Sequence, residues 1–168
     1  MPKRRSVVIS SVVLFASVFA FGQNKDHWED YEPRTLQSII EMHRGNIVDL
    51  NSRKKAMLLT GDSFPSKVEL VYAGESRPVS KPDKLRLRFW RKMLGNKAPP
   101  EDAFPMELLF REGSEKHWIV VQKPLIDALP KELKVGNVLT AYIVWIGAIK
   151  VNERWEWLFA MNEFHSLK

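Results

Sequence analysis

Val138-Leu139-Thr140-Ala141-Tyr142-Ile143-Val144-Trp145-Ile146 is almost wholly apolar, rich in β-branched and aromatic residues, and free of Pro and Gly. A run of this length and composition reads as a central strand covered on both faces. Its neighbours decide the fold. After a turn near Asn152-Glu153, Trp155, Trp157, Phe159 and Met161 alternate with Glu156, Leu158 and Ala160, the period of a strand. Upstream, Met106, Leu108 and Phe110 alternate as far as Glu112-Gly113-Ser114, and Trp118 to Val121 returns. Pro124 to Asn137, with Pro130 inside it and a turn at Gly136-Asn137, reads as a connection. From residue 105 onward the pattern is therefore strand after strand with no helix between. That predicts an α+β fold, mainly antiparallel, built on a small curled or barrel-like sheet.

The first half adds two strands and two short helices, for about six strands in all. Ala56 to Thr60 is one short apolar run, and Val68, Leu70 and Tyr72 form the inward set of another strand, closed by Gly74. Leu36, Ile39, Ile40 and His43 follow helical spacing over about 35–44, with Thr35 as N-cap and Gly45 as stop. Residues 82–94 place Leu85, Leu87, Phe89, Trp90, Met93 and Leu94 on one broad helical face and Lys84, Arg88, Arg91 and Lys92 on the other. Arg86 intrudes on the apolar side. Residues 23–34 are polar and read as an extended arm, and 35–168 as a single β-rich domain.

The start of the chain has a different character. Lys3, Arg4 and Arg5 precede an uncharged apolar run from Val7 to Phe21, and Ala20 and Gly22 put small side chains three and one before Gln23. This is the pattern of a secretory signal peptide over 1–22, cut near Gly22-Gln23, and too short for a spanning helix. The Arg4-Arg5 pair also loosely resembles a twin-arginine signal. The expected location is periplasmic or secreted, in a bacterial cell envelope.

Composition narrows the chemistry. Three of the 26 basic residues lie in the leader and none of the 20 acidic ones, which leaves a net charge of +3 on the remainder. Such a mixed surface does not argue for a nucleic-acid partner. The absence of Cys excludes disulfides, thiolate chemistry and cysteine-ligated metal. Hydrophobic packing must hold the domain, and six Trp and three Tyr supply much of it.

Candidate chemistry is sparse. Leu59-Thr60-Gly61-Asp62-Ser63, a strand ending in Gly-Asp-Ser, is similar to the nucleophile block of the GDSL-type (SGNH) esterases. That resemblance, which covers three residues, implies Ser63 as nucleophile and a late Asp-x-x-His. Here the late His is His165, and Asn162 stands three before it. The family's doubly wound α/β sheet does not match the strand pattern, and the same triplet is an ordinary turn. His27, His43, His117 and His165 show no metal-ligand spacing, and His27 with Glu29 and Asp30 lies in the polar arm. Glu29-Asp30 and Glu101-Asp102 read as solvated charge. The Trp155, Trp157, Phe159, Met161 stripe is either a sugar-stacking platform or the core face of the last strand.

The resulting expectation is a small exported binding or scaffolding domain, more a binder than an enzyme, with an envelope ligand or protein as partner and no nucleic acid. No catalytic, cofactor or metal residue is assigned. The alternatives are an exported serine hydrolase using Ser63, and a membrane-peripheral protein. The latter would be held weakly by helix 82–94, with Lys84, Arg88, Arg91 and Lys92 on headgroups and Phe89 and Trp90 dipping inward.

Overall fold

The computed structural model describes residues 27–45, 56–59, 64–97 and 99–167. In chain order its elements are β1 (Glu32–Pro33), α1 (Leu36–Arg44), β2 (Met57–Leu59), β3 (Ser66–Pro78), α2 (Lys81–Leu94), β4 (Met106–Glu112), β5 (Glu115–Val121), α3 (Lys123–Glu132), β6 (Val138–Val151) and β7 (Arg154–Ser166). They form one mixed, mostly antiparallel sheet in the order β1-β3-β4-β5-β7-β6-β2, and β3 also pairs with β6. That extra pairing closes five strands, β3-β4-β5-β7-β6, into a barrel.

The closure depends on β3 changing partner along its length. Ser66 to Val71 pair with Ile143 to Val138 of β6, and Val71 to Pro78 pair with Arg111 to Met106 of β4 across a bulge between Tyr72 and Ser76. β5 meets β7 in parallel at Val120–Ala160 and Val121–Met161. A five-stranded barrel of this Greek-key order, with a helix between its third and fourth strands, has the connectivity of the OB-fold. β2 lies on the free half of β6. There Gly147 lets the strands approach so closely that a Cβ would fall 2.2 Å from the Leu58 carbonyl oxygen.

The barrel is packed solid. Val68, Leu70 and Tyr72, Leu108 and Phe110, Ile119 and Val121, Leu139 to Trp145 in alternation, and Phe159 and Met161 point inward into one cluster. Leu36, Ile39 and Ile40 of α1 and Leu125, Leu129 and Leu133 complete it. Thr35 caps α1 through a reciprocal pair of bonds with Ser38, and the Glu112 carboxylate accepts from Leu36 N at 2.7 Å and Gln37 N at 3.0 Å. A second cluster lies on the outside: Val120, Val144, Ile146, Leu158 and Ala160 of the sheet under Leu87, Trp90, Val79 and Phe104.

The α+β architecture on a curled, mainly antiparallel sheet is as expected, with one element read differently. Residues 123–132 are a helix, not a plain connection, so the strands after 105 are interrupted once. Pro124 sits in the first turn, where its missing N–H is no loss, and Leu125, Leu129 and Leu133 recur every fourth residue toward the barrel. Among the described residues there are thus three α-helices and seven strands, the two-residue β1 among them. Pairing β1 with β3 in parallel draws residues 32–33 onto the sheet. Behind it Asn162, at a bulge of β7, accepts from Gln122 Nε2 and donates to the Tyr31 hydroxyl, both at 3.0 Å.

Candidate functional site

Strand alternation assigns the outer face of the β3–β4–β5 region. Because Leu108, Phe110, Ile119 and Val121 face the core, Glu107, Leu109 and Arg111 of β4 and Lys116, Trp118 and Val120 of β5 face out. The register sets Arg77 beside Glu107, Leu109 opposite Trp118, and Arg111 opposite Lys116.

Two features of this face stand out, the first of them also serving the fold, since Arg77 is the counter-ion of the buried Glu107 carboxylate. The Arg77 guanidinium lies 4.0 Å from the Trp118 ring centroid and donates Nε to the buried Glu107 carboxylate, yet the Arg77 side chain stays 43% exposed. It is a cation oriented from two sides and still open to solvent. Arg111 and Lys116 are both exposed and directly opposed. Like charges so placed oppose strand pairing by a few tenths of a kcal/mol. Neither forms an ion pair among the described residues. Alternation sends the nearby acids Glu112 and Glu115 to the other side of the hairpin, where Glu112 is engaged with α1. The outer side therefore offers three cations and an indole to anything anionic.

The residues singled out in the sequence do not converge. Ser63, with Thr60, Gly61 and Asp62, lies outside the described residues, as do residues 1–22, expected above to be a signal peptide, and the expected cut near Gln23. His165 is exposed with Nδ1 3.3 Å from the Tyr142 hydroxyl, while Asn162 is buried and bonded to Gln122 and Tyr31. His43 is buried, stacks on Trp145 with ring centroids 3.8 Å apart, and meets the edge of Phe64; burial pushes its pKa down. Burial also lowers that of His117, against the pull of Glu112 and Glu115. The His27 side chain lies outside the described residues. Among those described, no group of three His, Asp or Glu side chains could hold a metal ion. Glu29 and Asp30 are exposed; Asp102 pairs with Lys123 at 3.2 Å and Glu101 with Arg91 at 3.8 Å, all near the surface.

The C-terminal half of the β7 stripe is core, while Trp155 and Trp157 are half-buried. Phe159 and Met161 are buried, and Trp157 packs 5.8 Å from Trp145. Helix α2 forms where its pattern placed it, but its apolar residues divide. Leu87 and Trp90 pack on the barrel with Leu94, while Leu85, Phe89 and Met93 face outward. Trp90, assigned above to a membrane interface, is instead buried against Phe104. Arg86 is buried too: it pairs with Asp83, donates Nη1 to the Glu156 carbonyl oxygen at 2.6 Å, and is pushed down to about 10 by desolvation. It stays charged at neutral pH.

Arg77 and Trp118 escaped the sequence reading because they are 41 positions apart and Arg77 lies beyond the glycine taken as the strand's end. The like-charged pair was legible: a two-residue turn at Gly113-Ser114 puts Arg111 opposite Lys116.

No family model matches this chain, and neither a curated protein nor a solved structure does. Among the described residues, no helix is long and apolar enough to cross a membrane.

Proposed function

We propose that this chain is an exported, non-enzymatic binding module of the periplasm or secreted space, which holds an anionic envelope ligand on the outer face of β4 and β5. The observation that carries the reading is the exposed Arg111–Lys116 pair, kept against its own repulsion beside a clamped Arg77. A solid barrel interior leaves the outer surface as the place for a ligand. OB-type barrels commonly bind on this face, which lends support by analogy of fold alone. The ligand class is a chain bearing carboxylates or phosphates, since forked guanidinium groups recognise either.

The test is titration with oligogalacturonate and with inorganic polyphosphate, followed by intrinsic Trp fluorescence. Arg77→Gln, and Arg111→Gln with Lys116→Gln, should each weaken binding about tenfold or more, since hydrogen bonds to charged groups contribute about 1.5–3 kcal/mol. Failure to bind either polyanion, or equal affinity in the variants, overturns the assignment. Labelling by a serine-reactive phosphonate that Ser63→Ala abolishes would replace it with a hydrolase. Export is checked by intact mass: recovery of a chain starting at Gln23 is expected, and a full-length chain counts against it.

A further inference from the structure

Helix α2 exposes a line of apolar side chains that the fold does not use. Leu85, Phe89 and Met93 follow one another at four-residue spacing and are 41%, 41% and 53% exposed. Packing does not explain them, because the barrel side of α2 is already formed by Leu87, Trp90 and Leu94. Next to this ridge on the helix surface stand Lys81, Lys84, Arg88 and Lys92, none of which forms an ion pair among the described residues. The helix has one carboxylate, Asp83, and it is buried against Arg86. Its exposed surface is thus apolar and cationic with no acid to neutralise it. The Lys92 ammonium lies 5.8 Å over the Phe89 ring, so its stem runs along the apolar ridge. At the C-terminal end an open depression of about 530 Å³ is lined by Arg88, Arg91, Lys92, Gly95 and Glu101.

We infer that α2 docks this protein on an anionic lipid surface, with Leu85, Phe89 and Met93 entering the headgroup–acyl boundary and Lys81, Lys84, Arg88 and Lys92 engaging the headgroups. The charge decides the occupant. A protein-binding groove usually carries mixed or apolar contacts, whereas an apolar ridge flanked by Lys81, Lys84, Arg88 and Lys92, with Glu101 beside Arg91 at its C-terminal end, complements a bilayer bearing negative charge. The helix stays folded on the barrel as it docks, because Trp90 and Arg86 hold it there. This contact is on a different element from the β4–β5 face and does not depend on the ligand proposed for that face.

The lack of Cys gives a direct test in the full chain. A single Met93→Cys, labelled with a polarity-sensitive fluorophore, reports whether the ridge enters lipid whatever the rest of the chain does. Ser114→Cys, at the β4–β5 turn, serves as the second position. The probe at 93 should brighten and shift to the blue on vesicles containing one-third phosphatidylglycerol, and not on pure phosphatidylcholine. The response should fade as salt rises, and the probe at 114 should remain unchanged. Replacing Lys84, Arg88 and Lys92 by Gln should weaken the response about a hundredfold, about fivefold per cation. No change at 93 on anionic vesicles, a response indifferent to salt, or a response at 114 instead of 93 would overturn the proposal. So would a shift at 93 that needs no lipid and grows with protein concentration, which would make a second copy of the chain the occupant.

Discussion

The barrel has two outer surfaces of opposite character. Over β6 and β7 the outward residues are Val144, Ile146, Leu158 and Ala160, and α2 covers them. Toward the β4–β5 turn they are the exposed Arg111 and Lys116 and the half-buried Trp118, and the cluster under α2 reaches β5 at Val120 without including them. Both surfaces are the outward side of one pleated sheet, so geometry does not separate them. Coverage does. Where a helix returns, the sheet carries apolar residues that would be costly to expose. Where none returns, it carries charges that would be costly to bury. The ligand site proposed for the sheet falls on the uncovered surface.

The sharpest way to break that contrast is to truncate one indole on each side. Trp90 is 2% exposed on the barrel side of α2, whereas Trp118 is half-buried under a solvent-facing Arg77. Trp90→Ala should cost about 3–5 kcal/mol, read from the urea midpoint, as a large-to-small core change does. Trp118→Ala should cost about 1 kcal/mol and act mainly on ligand binding. Equal losses would mean that the β4–β5 surface is another core and would remove its claim to a ligand.

The covered surface contains one charge that tests it from within. Arg86 is 1% exposed, with Nε lacking a hydrogen-bond partner. Arg86→Leu alone strands the Asp83 carboxylate in a dry interface and should cost about 3–5 kcal/mol. Replacing both, Asp83→Leu with Arg86→Leu, should recover much of that loss. If the double variant is as unstable as the single one, the ion pair is holding α2 in place rather than merely being tolerated beneath it.

These residues also mark how far the sequence could be read. The period of two from Val68 to Tyr72, and again over β4 and β7, led to a curled antiparallel sheet because alternation depends only on which face is buried. Thr35 and Gly45 bounded α1 for the same local reason. What escaped depended on distance along the chain. Closure needs β3 to change partners, and no residue within β3 announces that β6 will arrive 69 positions later, at Leu139 opposite Leu70. Helix α3 was missed because Pro124 and Pro130 were read as breakers, although a proline in the first turn favours a helix. Arg86 was noticed as an intruder, but the carbonyl oxygen it binds belongs to Glu156, 70 positions away.

Acid should act on the interior before it acts on the open face. Burial lowers the pKa of His43 and His117 below the usual 6.5, so between that value and the folded-state one the unfolded chain binds more protons. Their stability contribution is therefore full above about pH 6.5 and is lost as pH falls through the window beneath it. Glu163 works in the opposite sense: burial raises its pKa above 4.5, so protonating it in acid favours the fold. The urea midpoint should drop from pH 7.5 to 5.5 in the native chain and drop less in His43→Phe, which keeps a ring against Trp145. An unchanged slope in that variant would show that His43 does not couple protons to folding.

The smallest effect separates stability from function most cleanly. Arg111 and Lys116 oppose each other across the β4–β5 hairpin, and Lys116→Glu turns that repulsion into attraction. Cross-strand pairs contribute about 0.2–1 kcal/mol, so the variant should unfold at slightly higher urea. If the pair exists only because nothing selects against it, affinity for polyanions should stay the same. If it exists for a ligand, the stabilised protein should bind oligogalacturonate or polyphosphate markedly less well, because a carboxylate now stands where the anion would sit. A gain in stability with a loss of binding would show that the open face carries its repulsion for recognition, as functional surfaces often retain locally unfavourable residues.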